Sequence, residues 1–209
     1  MYKRQAGGAA ITGNMRAAAR AGIDPAKVQW TGMAPNLQEQ MLLKDHVDGS
    51  AVFSVTSYMN LVAQGVDPDR DIRWFHYADH GVDLYGNGVM VSRALLRDRP
   101  EAVAGLVRAI HRAVLDTIAD PDAAIAALAK REPLLDAALE KRRLLYTLRT
   151  VMLTPAVAQA GIGDVDDARM GRAIAQLRTA FELPRAPAPG EVFDRRFLPP
   201  AAARRVVAS

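Results

Sequence analysis

The 209-residue sequence contains no cysteine, which excludes disulfide bonds, thiolate zinc sites, iron–sulfur clusters and a cysteine nucleophile. No apolar run approaches the ~18 residues that indicate a membrane span, and residues 1–5 do not lead into the apolar core of a signal peptide. The formal net charge is only +4, and the arginines form no single stripe. We therefore predict no nucleic-acid partner.

Half of the residues are hydrophobic and 24% are charged, a composition typical of a globular protein. The first half alternates between two patterns. Strand-like alternation or short apolar runs predict strands over 27–31, 47–53 and 72–77, and helical patterns predict helices over 11–21, 35–42 and 54–64. Strands that alternate with helices indicate an α/β fold with a parallel sheet and crossover helices.

The second half carries one more predicted strand, over 85–92, and is otherwise helical. Pro100 suits the first position of a helix, and apolar residues then recur at helical spacing from Val103 to Ile118. Further helices are predicted over 120–128, 136–152 and 166–181. One strand cannot cover four helices. We therefore expect residues 93–209 to expose an apolar face unless another segment or a partner covers it.

Glycine and other small residues precede and enter the first predicted helix, over 7–13. Such residues let backbone N–H groups approach an anion at the positive end of a helix. Gly8 and Gly13 have the spacing of a P-loop, but Asn14 and Met15 replace the residues that would hold phosphate and Mg²⁺. The segment is thus either a weak anion or polar-group site or an ordinary tight turn.

Two histidines and two aspartates follow the third predicted strand, at His76, Asp79, His80 and Asp83. The histidine spacing suits a metal ion only on a helix, and Gly81 interrupts any helix here. We favour a polar loop and predict no metal site. The pair Asp79 and Asp83 offers acid–base chemistry in principle, but no residue is assigned a catalytic role.

Residues 53–58 join the carboxyl end of a predicted strand to the next helix, where ligands of open α/β sheets collect. Aromatic and hydroxyl side chains together suit a small polar ligand. The alternative is that Phe53 belongs to the core and Ser54 caps the helix. The basic clusters at 141–143 and at Arg204 and Arg205 are interpreted as solvated faces.

Five segments carry a resemblance to a known family: 47–53, 83–92, 99–103, 116–121 and 192–200. In their order and spacing the chain resembles the substrate-binding proteins of ABC importers for nitrate, sulfonates, taurine and thiamine-precursor pyrimidines, the NMT1/THI5-like group. The resemblance runs from about Gly7 to the end of the chain.

The resemblance implies a type II periplasmic-binding-protein-like fold, in which two α/β lobes trap a small ligand between them. This chain resembles the second half of such proteins. Residues 1–84 correspond to the complete inserted lobe. Residues 85–209 correspond to the return strand and the carboxyl-terminal helices of a helix-rich, partial second lobe. We expect the amino-terminal part of that lobe, with its export signal, to be missing here.

The resemblance also implies a ligand site, a partner and a location. The family's ligand contacts fall on nine positions here: Gly8, Ala9, Ala10, Phe53, Ser54, Thr56, Asp83, Tyr85 and Asn87. The implied partners are a small ligand and the membrane permease, the implied location is periplasmic, and no cofactor is implied. A eukaryotic branch makes the thiamine pyrimidine with a cysteine-rich motif, which this sequence lacks.

Two rivals to the solute-binding hypothesis stay open. An enzyme on the same fold would act on a pyrimidine or an aromatic acid and would need a catalytic acid or base in its cleft. A helical regulator or DNA-binding module would need a helix with a coherent basic face, and the helices here offer only scattered arginine.

Overall fold

A computed structural model describes residue 22 and residues 24–206 of the chain. The described residues divide into two compact units. The first unit contains the described residues up to Tyr85 together with residues 167–189, and the second contains residues 86–166 together with the residues from Gly190 onward. The domain assignment made from the sequence, residues 1–84 and 85–209, stays a prediction.

Helices dominate both units. Short 3₁₀-helices lie at Pro25–Lys27, Pro35–Leu37, Tyr77–His80, Arg195–Phe197 and Ala201–Arg204. The α-helices are α1 (Gln38–Leu43), α2 (Ser54–Ala63), α3 (Pro68–Asp71), α4 (Arg93–Asp98), α5 (Pro100–Ala119), α6 (Pro121–Arg131), α7 (Ala137–Thr147), α8 (Pro155–Ala160), α9 (Asp167–Phe181) and α10 (Pro189–Val192).

Proline and capping side chains fix where several helices begin. Pro100 lies in the first turn of α5, as predicted, because that position needs no hydrogen-bond donor. The Asp120 carboxylate caps α6 by accepting from the Ala123 N–H at 2.9 Å, and the Asp136 carboxylate caps α7 in the same way. The helices predicted in the second half are confirmed, and α7 runs on into a single π-helical turn at Leu148–Met152.

The core of the first unit centres on α2. Met59 and Leu61 are almost fully buried, and α2 packs against α1 and α3. Glu39 of α1 is also buried, and it accepts a hydrogen bond from the Asn60 amide at 3.3 Å. A buried carboxylate needs such a partner. The helix predicted over 54–64 therefore carries the buried core of this unit.

In the second unit, α5 packs against α4 and α6, and α6 packs against α7. Val103, Ile125 and Leu148 are buried. The apolar stripe predicted on α5 is only partly covered, since Leu106 is 47% exposed. Part of this stripe is therefore in contact with solvent, and the expectation that residues 93–209 expose an apolar face stays a prediction.

The four predicted strands are not present as strands in the described part of the chain. Residues 72–75 keep the alternation that predicted one, because Ile72 and Trp74 are half-buried while Arg73 and Phe75 are exposed. A strand, however, is stabilised by backbone hydrogen bonds to a neighbouring strand. None of the four segments has such a neighbour among the described residues. The predicted α/β class, with one complete lobe and one partial lobe, is thus not confirmed.

Candidate functional site

Three of the nine predicted ligand contacts fall outside the described residues. These are Gly8, Ala9 and Ala10, at the entry to the first predicted helix. The anion or polar-group site proposed for that segment stays a prediction.

The predicted contacts around residue 53 lie at the start of α2. Phe53 takes the N-cap position with an extended backbone, and its side chain is 77% exposed, so it does not belong to the core. Ser54 is the first residue of the helix, and no side-chain hydrogen bond caps it. The prediction that Ser54 caps α2 is therefore wrong, because Phe53 already holds the cap position. Thr56 is exposed in the first turn.

Asp83 and Tyr85 are brought together by an arginine that the sequence reasoning missed. The Arg169 guanidinium, on α9, donates from Nη2 to Asp83 Oδ1 at 2.6 Å and to the Leu84 carbonyl at 3.0 Å. The same guanidinium lies 4.2 Å from the centroid of the Tyr85 ring. A cation over an aromatic face is attracted by the ring's quadrupole. Two predicted ligand contacts thus share one cation.

This Arg169 cluster, defined as Asp83, Leu84, Tyr85 and Arg169, is partly open to solvent. The Arg169 side chain is 29% exposed and that of Asp83 is 47% exposed. A guanidinium is planar and always charged, and it recognises carboxylate, sulfonate or phosphate groups by paired hydrogen bonds. Asp83 and Tyr85 hold the guanidinium between a carboxylate and an aromatic ring.

A second contact ties α9 to the same segment. Gln176 Nε2 donates to the Gly81 carbonyl at 2.7 Å. Gln176 follows Arg169 by seven residues, so the two side chains share one face of α9. Gly81 has a left-handed backbone, with φ of 77°, which glycine adopts without strain. Residues 81–85 are therefore held at both ends by α9. In the sequence, only the seven-residue spacing between Arg169 and Gln176 indicates that α9 contacts residues 81–85.

Asn87, the last predicted contact, belongs to the second unit. It is exposed and lies in a segment without regular secondary structure. Its role as a ligand contact stays a prediction.

The histidines near residue 80 contact aromatic rings. His76 is stacked on Trp74, with centroids 6.5 Å apart and planes 7° apart, and Trp74 is in turn stacked on Tyr58. The ring centroid of His80 lies 6.3 Å from that of Phe75. Within the described residues no group of histidine and acidic side chains is arranged to hold a metal ion.

The second unit contains a charged cluster that the sequence reasoning also missed. Arg204 is only 6% exposed, so its assignment to a solvated face is wrong. It donates to the carbonyls of Pro199, Ala160 and Ile162. Its Nη2 also donates to Asp164 Oδ2 at 3.1 Å. These partners satisfy a buried guanidinium, which is why it is tolerated there.

Asp164 is shared between two arginines, because Arg195 Nε donates to its Oδ1 at 2.8 Å. Partial burial acts to raise the pKa of Asp164. The hydrogen bonds from Arg195 and from the Val165 N–H, with the charges of both arginines, outweigh burial and hold the pKa below its ordinary value. The carboxylate therefore stays ionised and holds Arg195 and Arg204 together.

His111 of α5 lies beside this cluster. Its Nδ1 is 2.8 Å from the Val107 carbonyl oxygen and its Nε2 is 3.2 Å from the Ile162 carbonyl oxygen. His111 is 8% exposed. The loop after α8 passes close above the ring, and Gly163 has a φ of 81° there. Both contacts are with backbone oxygens, which indicates a structural role.

No helix in the described part of the chain combines the length and the apolarity needed to cross a bilayer. This finding concerns the helices of residues 24–206 alone.

Comparison with known proteins gives one match. The model of a family described as NMT1/THI5 like matches residues 9–124, which is more than half of the 209 residues. The matched range includes Phe53, Asp83, Tyr85 and Asn87, whereas Arg169 lies beyond it. That family covers substrate-binding proteins of ABC importers and enzymes of thiamine-pyrimidine synthesis. No curated protein and no solved structure matches the chain significantly.

Proposed function

The chain belongs to the NMT1/THI5-like family, and on that premise we propose that it is the solute-binding component of an ABC importer. Its ligand is a small polar or anionic organic molecule. The candidates are a sulfonate, nitrate or a pyrimidine precursor of thiamine.

The Arg169 cluster is the observation that supports this proposal. The resemblance predicts Asp83 and Tyr85 as ligand contacts, and both contact the Arg169 guanidinium. A preorientated guanidinium beside an exposed carboxylate and an aromatic ring is a set of groups that binds small charged organic molecules.

The charges of the cluster narrow the ligand class. Asp83 and Arg169 together carry no net charge. A bare anion is therefore attracted by the arginine and repelled by the aspartate. A molecule with both a cationic or donor group and an acidic group complements both side chains. We therefore expect a zwitterionic sulfonate such as taurine, or an aminopyrimidine, to bind more tightly than nitrate.

We further propose that the protein acts in the periplasm and presents its ligand to the membrane permease without changing it chemically. The lack of cysteine supports this choice over the enzyme hypothesis, because the family's enzymes carry a cysteine-rich motif. Ligand binding would shift the protein toward a form that the permease recognises.

A ligand panel tests the proposal. The purified chain is titrated by calorimetry with taurine, methanesulfonate, nitrate and an aminopyrimidine, and each mixture is then examined by chromatography for consumed ligand. The proposal predicts saturable binding of one class and full recovery of that ligand. Consumption of the ligand would favour the enzyme, and saturation by none of the four would contradict the proposed ligand class.

A further inference from the structure

Asn87 and Gly88 form the only asparagine–glycine pair in the sequence. Both residues are exposed, and residues 82–92 have no regular secondary structure. Among the described residues, the N–H of Gly88 donates to no backbone carbonyl. Open space surrounds Gly88, since a Cβ added there would meet no atom within 4 Å.

We propose that Asn87 is a site of spontaneous deamidation, a covalent modification that this chain performs on itself. The backbone nitrogen of Gly88 attacks Cγ of Asn87 and forms a new C–N bond. The bond from Cγ to Nδ2 breaks, and the amide nitrogen leaves as ammonia with the proton given up by Gly88. The resulting five-membered succinimide then adds water at either carbonyl and opens to aspartate or isoaspartate.

The structure favours this reaction at Asn87 over the other described asparagines. Attack requires a backbone N–H that is not held in a hydrogen bond and a chain that can rotate toward the side chain. The N–H after Asn36 belongs to Leu37 and is bonded to the Ala34 carbonyl at 3.0 Å. Asn60 lies inside α2, and its amide donates to Glu39. Gly88 is not held in this way, and without a Cβ it leaves the path of attack open.

The modification changes the charge of the chain, and one of its two products also has a longer backbone. Each conversion replaces a neutral amide with a carboxylate and lowers the net charge of the chain by one unit. The isoaspartate product also carries the backbone through the side-chain methylene. Any effect of this charge on ligand binding rests on the proposed function, whereas the modification itself does not.

The test incubates the purified chain at mildly alkaline pH and follows the peptide that contains residues 85–92 by digestion and mass spectrometry. We expect conversion of Asn87 to two products of equal mass, and intact Asn36 and Asn60. Gly88→Ala is expected to slow conversion severalfold, and the matched variant Gly86→Ala to leave it unchanged. Neither glycine has a left-handed backbone and both face open space, so we expect both variants to fold.

Two results would overturn the inference. One is an Asn87 that stays intact while Asn36 or Asn60 converts, and the other is a Gly88→Ala variant that converts as fast as the original chain. A comparison with the chain unfolded in urea tests whether the fold protects Asn87 from conversion. The folded and unfolded chains should convert at similar rates, and severalfold protection in the folded chain would contradict the exposed, unbonded geometry.

Discussion

Arg169 and Asp83 are 86 positions apart in the chain, yet Arg169 Nη2 lies 2.6 Å from Asp83 Oδ1. This contact joins a helix beyond the family-matched range to a segment within it. Because Leu84 and Tyr85 contact the same guanidinium, the arginine positions a run of three residues. The candidate ligand site thus depends on a helix that contains none of the predicted contacts.

The ion pair between Asp83 and Arg169 should contribute little to stability. Both side chains are partly exposed, and exposed pairs contribute about 0.2–1 kcal/mol. A double-mutant cycle with Asp83→Ala and Arg169→Ala, followed by urea unfolding, should give a coupling free energy in that range. Coupling of several kcal/mol would show that the pair is a structural element rather than part of a binding site.

Asp164 should contribute to stability in a pH-dependent way. Its pKa is lowered in the folded chain, so the unfolded chain takes up the proton first as the pH falls. The stabilisation is complete above the unfolded pKa of about 4 and is lost as the pH falls through the lower, folded pKa. Asp164→Asn should cost roughly 1.5–3 kcal/mol at neutral pH, since charged hydrogen bonds are lost.

Urea unfolding at pH 7 and at pH 3 checks this prediction. The difference in the free energy of unfolding between the two pH values should be smaller in Asp164→Asn than in the original chain. Asp98 provides a matched control, because its ion pair with Arg97 is exposed. An Asp98→Asn variant that flattened the pH dependence as much as Asp164→Asn would contradict the assignment.

The helices could be predicted from the sequence because their signals are local. Pro100 and the apolar residues at helical spacing are enough to locate α5. The predicted strands are not confirmed among the described residues, since a strand depends on a neighbouring strand that can lie anywhere in the chain. Arg169 and Arg204 were missed because Asp83 and Asp164, the carboxylates that pair with them, are 86 and 40 positions away in the sequence. Nothing within a few residues of either distinguishes it from a surface arginine.

Two glycine substitutions should change stability in opposite directions. Gly163 has a φ of 81°, and a Cβ there would lie 2.5 Å from His111 Nε2, so Gly163→Ala should cost about 1–3 kcal/mol. Gly171 lies within α9 with open space around it, so Gly171→Ala should stabilise the chain by about 0.5–1 kcal/mol. Thermal unfolding of both variants measures these two changes in stability. A neutral Gly163→Ala would show that the loop does not approach His111.

Two leucine truncations separate core from surface in the second unit. Leu148 is 6% exposed and Leu134 is 101% exposed. Leu148→Ala should cost about 2–5 kcal/mol, because it removes buried contacts and leaves a cavity, whereas Leu134→Ala should stay within about 0.5 kcal/mol of the original. Equal losses in urea unfolding would contradict the described packing.

Binding of the ligand by the Arg169 cluster can be tested by one calorimetric comparison. The ligand that binds most tightly in the panel is titrated into the original chain, Arg169→Ala and Arg172→Ala, whose arginine is exposed on the same helix. We expect Arg169→Ala to weaken binding roughly tenfold or more, since a charged hydrogen bond contributes about 1.5–3 kcal/mol. We expect Arg172→Ala to bind like the original. Unchanged affinity in a folded Arg169→Ala variant would contradict binding by the Arg169 cluster.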